Sequence, residues 1–404
     1  MEACCDLARD RRVVGAAVVA SAVIAIPWMT RKVACAIWAR STANTMDMKE
    51  RERIAKMDDQ HLTEALQSGS ITAVDALKTF LGLAVAAHER TNCVTLFLTD
   101  SLAVAEEWDA KYKDSTFEKP PLFGLPISVK ESTPMAGHLC TWGYASCPFP
   151  PCDRDHLVVA CAKINGAIPF VRTNVPMTLL AFDSINAIYG ATTNPHSRER
   201  SSGGSSGGES AMVGCHGATM GIGSDIGGSV RVPAAYCGIA GFKPTGQRVS
   251  TIGYPIQLQG VPCLSLSDGV LAQSMETCAN FMKLFWKCED LFAADTTVPP
   301  IPWQEDLFKE GRKYTIGYWT QDQWLQAVPS QVRAVEKAKS ALEAAGHTVV
   351  PFTMPGPDDV LMSNYLTLLY ANGGADLCAI FDNELTPSEF SNYRSIVGYS
   401  PIMK

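Results

Sequence analysis

The chain has no Cys-x-x-Cys pair, no His-x-x-x-His pair, no internal repeat and no long low-complexity tract. No Gly-Lys-Ser/Thr step follows its glycine-rich turns. The seven histidines are scattered, so zinc finds no ligand set at a recognised spacing. The missing Gly-Lys step argues against a phosphate cradle. Basic residues are also thin. No dense Lys/Arg block occurs beyond the N-terminal region, and 34 Lys+Arg against 41 Asp+Glu give a formal charge of −7. That balance argues against nucleic acid as a partner.

What is present is ample apolar material: 404 residues, 47% hydrophobic and 19% charged, enough for one large core or two domains. Fourteen cysteines are many. Cys161, Cys237 and Cys278 lie in apolar contexts, as reduced, buried thiols of a cytosol-facing domain do. Cys140, Cys147 and Cys152 are close enough together to raise metal binding or a disulfide, although their spacing matches no zinc pattern.

Val13–Thr30 is an 18-residue run without charge, just enough for a membrane-spanning helix. Trp28 stands near its end, Arg9, Arg11 and Arg12 precede it, and Arg31, Lys32, Arg40, Lys49, Arg51 and Arg53 follow. The expected organisation is a tail (1–12), a transmembrane anchor (13–30), a charged helical connector (31–60) and a catalytic domain (61–404) on the cytosolic side. A cleaved signal peptide, with Ala34-Cys-Ala36 resembling its processing site, is the competing reading. Cys4 and Cys5 lie where acylation would reinforce an anchor.

Further along, Thr72 with Asp75 forms a capping-box pattern ahead of the stripe Val74, Leu77, Leu81 and Ala84, which predicts a core helix. Val94–Leu98 predicts a strand, Asp155–Ile164 a helix closed by Asn165-Gly166, and Ala167–Arg172 a strand. Thr315–Tyr318, Ser330–Ala345 and Thr348–Phe352 repeat the strand–helix–strand grammar. Such alternation predicts an α/β fold with a covered, largely buried sheet. Pro-rich Val298–Pro302 marks a surface connection or subdomain seam.

The chemistry concentrates in Ser201–Thr245. Two Gly-Gly-Ser steps, Gly203-Gly204-Ser205 and Gly227-Gly228-Ser229, flank an apolar run and an acid with a buried context, Asp225. Glycines beside a serine let several N–H groups crowd one oxyanion. The serine needs a base, and His216 is the nearest histidine, outside the motif. A Ser-His-Asp triad stays open on sequence alone. A second route is Lys130, at the end of the apolar run Leu125–Val129. Desolvated and neutral, it would take a proton from Ser205, which takes one from Ser229.

Jointly, these residues resemble the amidase signature family over most of Leu122–Thr245. The resemblance implies an amidase-signature-like mixed β-sheet covered by helices, and a Lys–Ser–Ser catalytic set. Carried over, Lys130 is the base, Ser205 the bridging serine in cis and Ser229 the nucleophile. Ile226, Gly227, Gly228 and Ser229 supply the oxyanion hole, and no metal or cofactor is needed.

Thr91–Val94, Thr173–Pro176, Gly203–Glu209, Thr297–Pro300 and Glu343–Thr348 resemble the membrane-bound branch that hydrolyses fatty-acid amides such as anandamide and oleamide. That likeness places Leu179 against substrate. It also implies a single-pass protein of the endoplasmic reticulum or Golgi, a homodimer, a lipid membrane as partner and no nucleic acid. Members of that branch continue beyond the position of Lys404, so a missing C-terminal part is expected. Two other readings compete: another family amidase, such as the amidotransferase subunit acting on charged tRNA, and a truncated, non-catalytic form that binds lipid.

Overall fold

In the computed structural model the described residues are 30–113, 118–146, 149–254, 264–293, 295–308, 311–321, 326–353, 358–371 and 375. The expected anchor, apart from Thr30, lies outside them, as do Cys4, Cys5, Cys147 and residues 396–404. Among the described residues no helix is long and apolar enough to cross a membrane.

Residues 30–43 are helical, and Cys35, Ala39 and Ala43, spaced by four, bury one stripe. Helix α1 (Met48–Ala55) starts where the Asp47 carboxylate accepts from the Lys49 and Glu50 N–H groups, and it buries Ile54. The segment expected as a charged connector thus adds four residues to the same core cluster as Leu77 and Leu81. Arg40, Lys49 and Arg53 stay exposed. Helix α2 (Asp59–Ser68) stops at Gly69 in the left-handed region.

Helix α3 (Ala73–Thr91) carries the predicted capping box: Thr72 Oγ1 accepts from Asp75 N at 3.0 Å, and the Asp75 carboxylate accepts from Thr72 N at 3.4 Å. Leu77, Leu81 and Ala84 are buried, and Val74 is half-buried against the same cluster.

Strand β1 (Val94–Phe97) leads through α4 (Ser101–Tyr112) to β2 (Pro126–Lys130). Helix α5 (Leu157–Ile164) and β3 (Ile168–Thr173) follow, each starting within two residues of expectation. Two small ribbons come next, β4 (Ile185–Asn186) with β5 (Gly190–Ala191), and β6 (Thr193–Asn194) with β7 (Ser197–Ser201). Helix α6 (Gly207–Gly214), β8 (Met220–Asp225), α7 (Arg231–Cys237), β9 (Ala240–Phe242), β10 (Ser267–Ala272) and α8 (Met275–Lys287) complete this part.

The main sheet is mixed and has six strands in the order β1-β3-β2-β8-β10-β9. Its centre, β3-β2-β8, is parallel, and β1, β10 and β9 add antiparallel edges. Every residue of β2, β3 and β8 is buried, as expected of parallel strands covered on both faces. The ladder places Lys130 beside Thr173, and Ser128 beside Gly221.

The chain forms two compact units, and the larger contains residues 30–254 and 265–300. The smaller resumes at Ile301, inside the Pro-rich stretch read as a seam. The region expected as one catalytic domain over 61–404 is therefore two units. In the smaller, β11 (Thr315–Tyr318) and β12 (Thr348–Pro351) pair in parallel, joined through α9 (Pro329–Ala344), with Pro329 in its first turn. Helix α10 (Asp358–Leu369) follows.

Candidate active site

Strand β2 has an apolar N-terminal half and a lysine at its last position, and parallel pairing on both sides carries that lysine into the interior. Lys130 is fully buried. Its Nζ donates to Ser205 Oγ at 2.7 Å, to Ser224 Oγ at 3.0 Å and to the Ser224 carbonyl at 3.3 Å. Burial drives its pKa from 10.5 down to about 7, against the opposing pull of Asp225, Asp268, Glu209 and Glu131. Three donated hydrogen bonds belong to the ammonium form; the neutral amine gives one of them up and can accept from the Ser205 hydroxyl, as a base does.

Ser205 lies on the turn into α6, and its peptide bond with Gly204 is cis. Gly204 is required by space. A Cβ there would stand 2.1 Å from the Asp183 carbonyl oxygen and 2.6 Å from that of Ala181. Ser184 Oγ ties the same turn by donating to Gly203 O at 3.1 Å and accepting from Gly207 N at 3.0 Å. The next residue, Ser206, donates its N–H to the Ser229 carbonyl at 3.1 Å, which laces the two Gly-Gly-Ser turns together.

Ser229 is 6% exposed, on the turn that leaves β8 for α7. Asp225, the last residue of β8, shapes that turn. Its carboxylate accepts from the N–H groups of Gly228 at 2.7 Å and Val230 at 3.0 Å. It also accepts from Arg231 Nε at 3.0 Å and Nη2 at 2.9 Å. Burial raises the pKa of Asp225, but these donors outweigh it and hold the carboxylate below its ordinary value. Gly228 sits at φ +128°, which favours glycine.

One expectation is corrected here. The Gly228 N–H is taken by Asp225, so of the four groups assigned to an oxyanion hole only those of Ile226, Gly227 and Ser229 have no hydrogen-bond partner among the described residues.

Around this centre lies a buried polar frame. Glu209 on α6 accepts from Thr173 Oγ1 at 2.5 Å and from Ser128 Oγ, and burial raises its pKa to about 7. Its carboxylate fits because β8 has a glycine opposite: a Cβ on Gly221 would stand 1.9 Å from Glu209 Oε2. Arg172 on β3 is buried and donates through Nη2 to the carbonyls of Lys130 at 3.3 Å, Glu131 and Thr133 at 2.8 Å. Glu131 accepts from Thr141 N at 2.5 Å and Trp142 N at 3.1 Å.

Sequence reasoning missed Ser224, Glu209, Glu131 and Arg172. Arg172 had a signal, a charge within an otherwise apolar strand; the others depend on which strands become neighbours. Leu179 is half-buried at φ +62°, on the loop whose Ala181 and Asp183 carbonyls abut Gly204. Phe182 of that loop is 57% exposed, and its ring lies 3.4 Å from where a Gly228 Cβ would stand. No histidine is hydrogen-bonded to Ser205 or Ser229 among the described residues, and His216 bonds through its own N–H to Val213 O. Among those residues no cluster of three or more His, Cys, Asp and Glu side chains could hold a metal ion.

The chain is similar to known amidases over most of its length. The family model for Amidase matches residues 75–399. Fatty acid amide hydrolase 1 of Caenorhabditis elegans is 39% identical over 337 residues, 83% of this chain and 59% of that protein. Fatty-acid amide hydrolase 1 of Sus scrofa is 33% identical over 394 residues, 93% of this chain and 66% of that protein. A solved structure of a fatty acid amide hydrolase superposes with a TM-score of 0.79 at 28% identity, covering 90% of this chain and 64% of the other. The chain therefore spans less than two thirds of the length of each of these three proteins.

Proposed function

The chain belongs to the amidase family, and we propose that it is a serine hydrolase of the fatty-acid amide hydrolase type. In this reading it cleaves long-chain amides, of which oleamide and anandamide are examples, to a fatty acid and ammonia or an amine. The observation that carries the proposal is the 2.7 Å contact between buried Lys130 Nζ and Ser205 Oγ, where burial brings the lysine pKa to about 7.

The proposed cycle is a proton relay. Neutral Lys130 accepts the Ser205 proton, and Ser205 accepts that of Ser229. Ser229 Oγ attacks the amide carbonyl, and the developing oxyanion meets the N–H groups of Ile226, Gly227 and Ser229. Each such donor is worth roughly 3 kcal/mol of transition-state stabilisation. Ser205 then returns a proton to the leaving nitrogen, without which an amide anion would have to depart. Water hydrolyses the acyl-enzyme by the same relay in reverse. Leu179, with the exposed ring of Phe182 beside the nucleophile turn, offers apolar surface to an acyl chain.

Attachment to an endoplasmic reticulum or Golgi membrane through residues 13–30, with the catalytic part facing the cytosol, and pairing as a homodimer belong to the same proposal. They rest on the charge-free run and on the resemblance.

The test is covalent labelling of the detergent-solubilised chain with a fluorophosphonate, with the adduct mapped by peptide mass. Labelling at Ser229, lost in Ser229→Ala and strongly slowed in Lys130→Ala, is the expected result, followed by oleamide hydrolysis. No adduct on folded protein would overturn the reading and favour a non-catalytic form.

A further inference from the structure

Cys140 and Cys152 hold their sulfurs 3.5 Å apart. Backbone bonds from Gly137 N to Cys152 O at 2.9 Å and from Cys152 N to His138 O at 3.0 Å keep the two segments side by side. Disulfide sulfurs lie about 2.05 Å apart, so closing this gap needs roughly 1.5 Å of movement. Cys140 is buried and Cys152 half-buried, so Cys152 is the more accessible of the two.

The two thiols are electrostatically unequal. The Cys140 hydrogen bond stabilises a thiolate at Cys152; burial opposes it, and the Arg172 charge assists. The net effect lowers the Cys152 pKa, and the same bond together with burial raises that of Cys140. A low-pKa, reachable sulfur beside a resolving thiol is the arrangement of peroxide-sensing cysteines.

We propose that Cys140 and Cys152 are a peroxide-reactive dithiol site that closes to a disulfide. The Cys152 thiolate attacks one oxygen of hydrogen peroxide. The S–O bond forms, the O–O bond breaks, and the departing hydroxide takes up a proton to become water. Cys140 then attacks the Cys152 sulfenic sulfur. The S–S bond forms, the S–O bond breaks, and the second hydroxide leaves as water with the Cys140 proton. The sulfur pair loses two electrons and the peroxide gains them.

The pair also touches the frame that holds Lys130. Cys140 Sγ lies 3.6 Å from Thr133 O and 3.6 Å from Arg172 Nη2, which clamps the carbonyls of Lys130, Glu131 and Thr133. Thr133 N in turn donates to Lys130 O at 3.0 Å. Drawing Cys140 toward Cys152 shifts its sulfur away from the Thr133 carbonyl and from the guanidinium. Oxidation therefore loosens the strand end that positions Lys130; this consequence rests on the proposed hydrolase reading, whereas the dithiol chemistry does not.

The full chain provides its own comparison. Cys161 and Cys288 are 3.0 Å apart, but Asn165 Nδ2 donates to both sulfurs, and burial pushes the Cys161 thiol up. The experiment is titration of the reduced, full-length chain with hydrogen peroxide at pH 7, followed by alkylation of remaining thiols and peptide mapping. A Cys140–Cys152 cross-link forming at least tenfold faster than any other, and reversed by dithiothreitol, is expected. In Cys140→Ser, a dimedone adduct should accumulate at Cys152. Cross-linking of Cys147 with Cys152, or of Cys161 with Cys288, ahead of this pair would overturn the assignment, as would no cross-link in folded protein. Fluorophosphonate labelling of Ser229 should slow at least threefold in the cross-linked form and recover on reduction. Unchanged labelling there would refute the coupling to Lys130. Failure of the reduced chain to label would count against the hydrolase reading alone, because the cross-link map decides the dithiol site either way.

Discussion

Replacing Lys130 by Met should strongly slow labelling of Ser229 and, at the same time, make the chain's stability depend less on pH. The argument turns on where the lysine proton resides. In the unfolded chain the amine has its ordinary pKa of 10.5, and in the folded chain it falls to about 7. A lysine with a depressed folded pKa stabilises least when both states are protonated, below about pH 7, because folding then carries a charge into a buried site. Between pH 7 and 10.5 the unfolded state binds more protons, so stability rises with pH through this window. Above the unfolded pKa the effect is complete.

At about 1.36 kcal/mol per unit, the two values imply that wild type gains about 2.5 kcal/mol over Lys130→Met between pH 8 and pH 10. Glu209, with its pKa raised to about 7, is largely ionised throughout that interval and contributes little to the slope. Loss of the contacts to Ser205 and Ser224 adds an offset of about 1 kcal/mol per hydrogen bond. That offset does not vary with pH.

The assay is urea unfolding of both chains in detergent at pH 8, 9 and 10. A difference between the chains that stays constant across the three would refute a neutral, desolvated lysine. One that moves the other way would mean a lysine held charged by its acidic neighbours, and the proposed proton relay would fail with it.

Three further outcomes follow from the same geometry. The labelling rate at Ser229 should rise about tenfold per pH unit up to about pH 7 and level off above it, since the base works only when Lys130 is neutral; a stopped-rate pH series checks this. Gly204→Ala should cost about 3 kcal/mol or more and eliminate labelling, because the new Cβ would press on backbone oxygens 2.1 and 2.6 Å away that no rotamer change can move; unfolding and labelling are measured together. Thr72→Ala removes one half of the α3 capping box, and should lower stability by about 1 kcal/mol while labelling stays at the wild-type rate.

Local chemistry accounts for what the sequence revealed of this structure. The Thr72–Asp75 cap, the Leu77–Leu81–Ala84 stripe and the Gly166 turn are each settled within a few residues, and each appears where their spacing predicts. Lys130 was conspicuous because a charge ends an apolar strand. Its partner Ser224 was not, because their meeting depends on β2 lying beside β8, a pairing written in no short segment. Glu209 reaches Ser128 and Thr173 only because Gly221, across a strand boundary, leaves room. The glycines of Ile226–Ser229 announced a crowd of N–H groups, but not that Asp225 would claim one of them. Residues 31–60 show the same limit. Their charges read as a solvated connector, while the small residues Cys35, Ala39 and Ala43 carry the packing face.

The sheet order also explains how a lysine can serve as base near neutral pH. Burial alone would drive Lys130 further down, and a single adjacent carboxylate would hold it charged. The fold takes a middle course by spacing the acids around it. Asp225 follows Ser224 at the end of β8, and its charge is largely spent on Arg231 and on the nucleophile turn. Asp268 lies across the β8–β10 ladder from Ser224 and accepts from Tyr254 at 2.6 Å. Glu131 is tied to Thr141 and Trp142, and Glu209 to Ser128 and Thr173. Each carboxylate is engaged elsewhere, so each raises the lysine pKa only in part, and their sum sets burial back to about 7. Parallel neighbours make this possible: β2 and β8 run the same way, so the lysine, its serine contact and the acid that shapes the Ser229 turn all emerge at one end of the sheet.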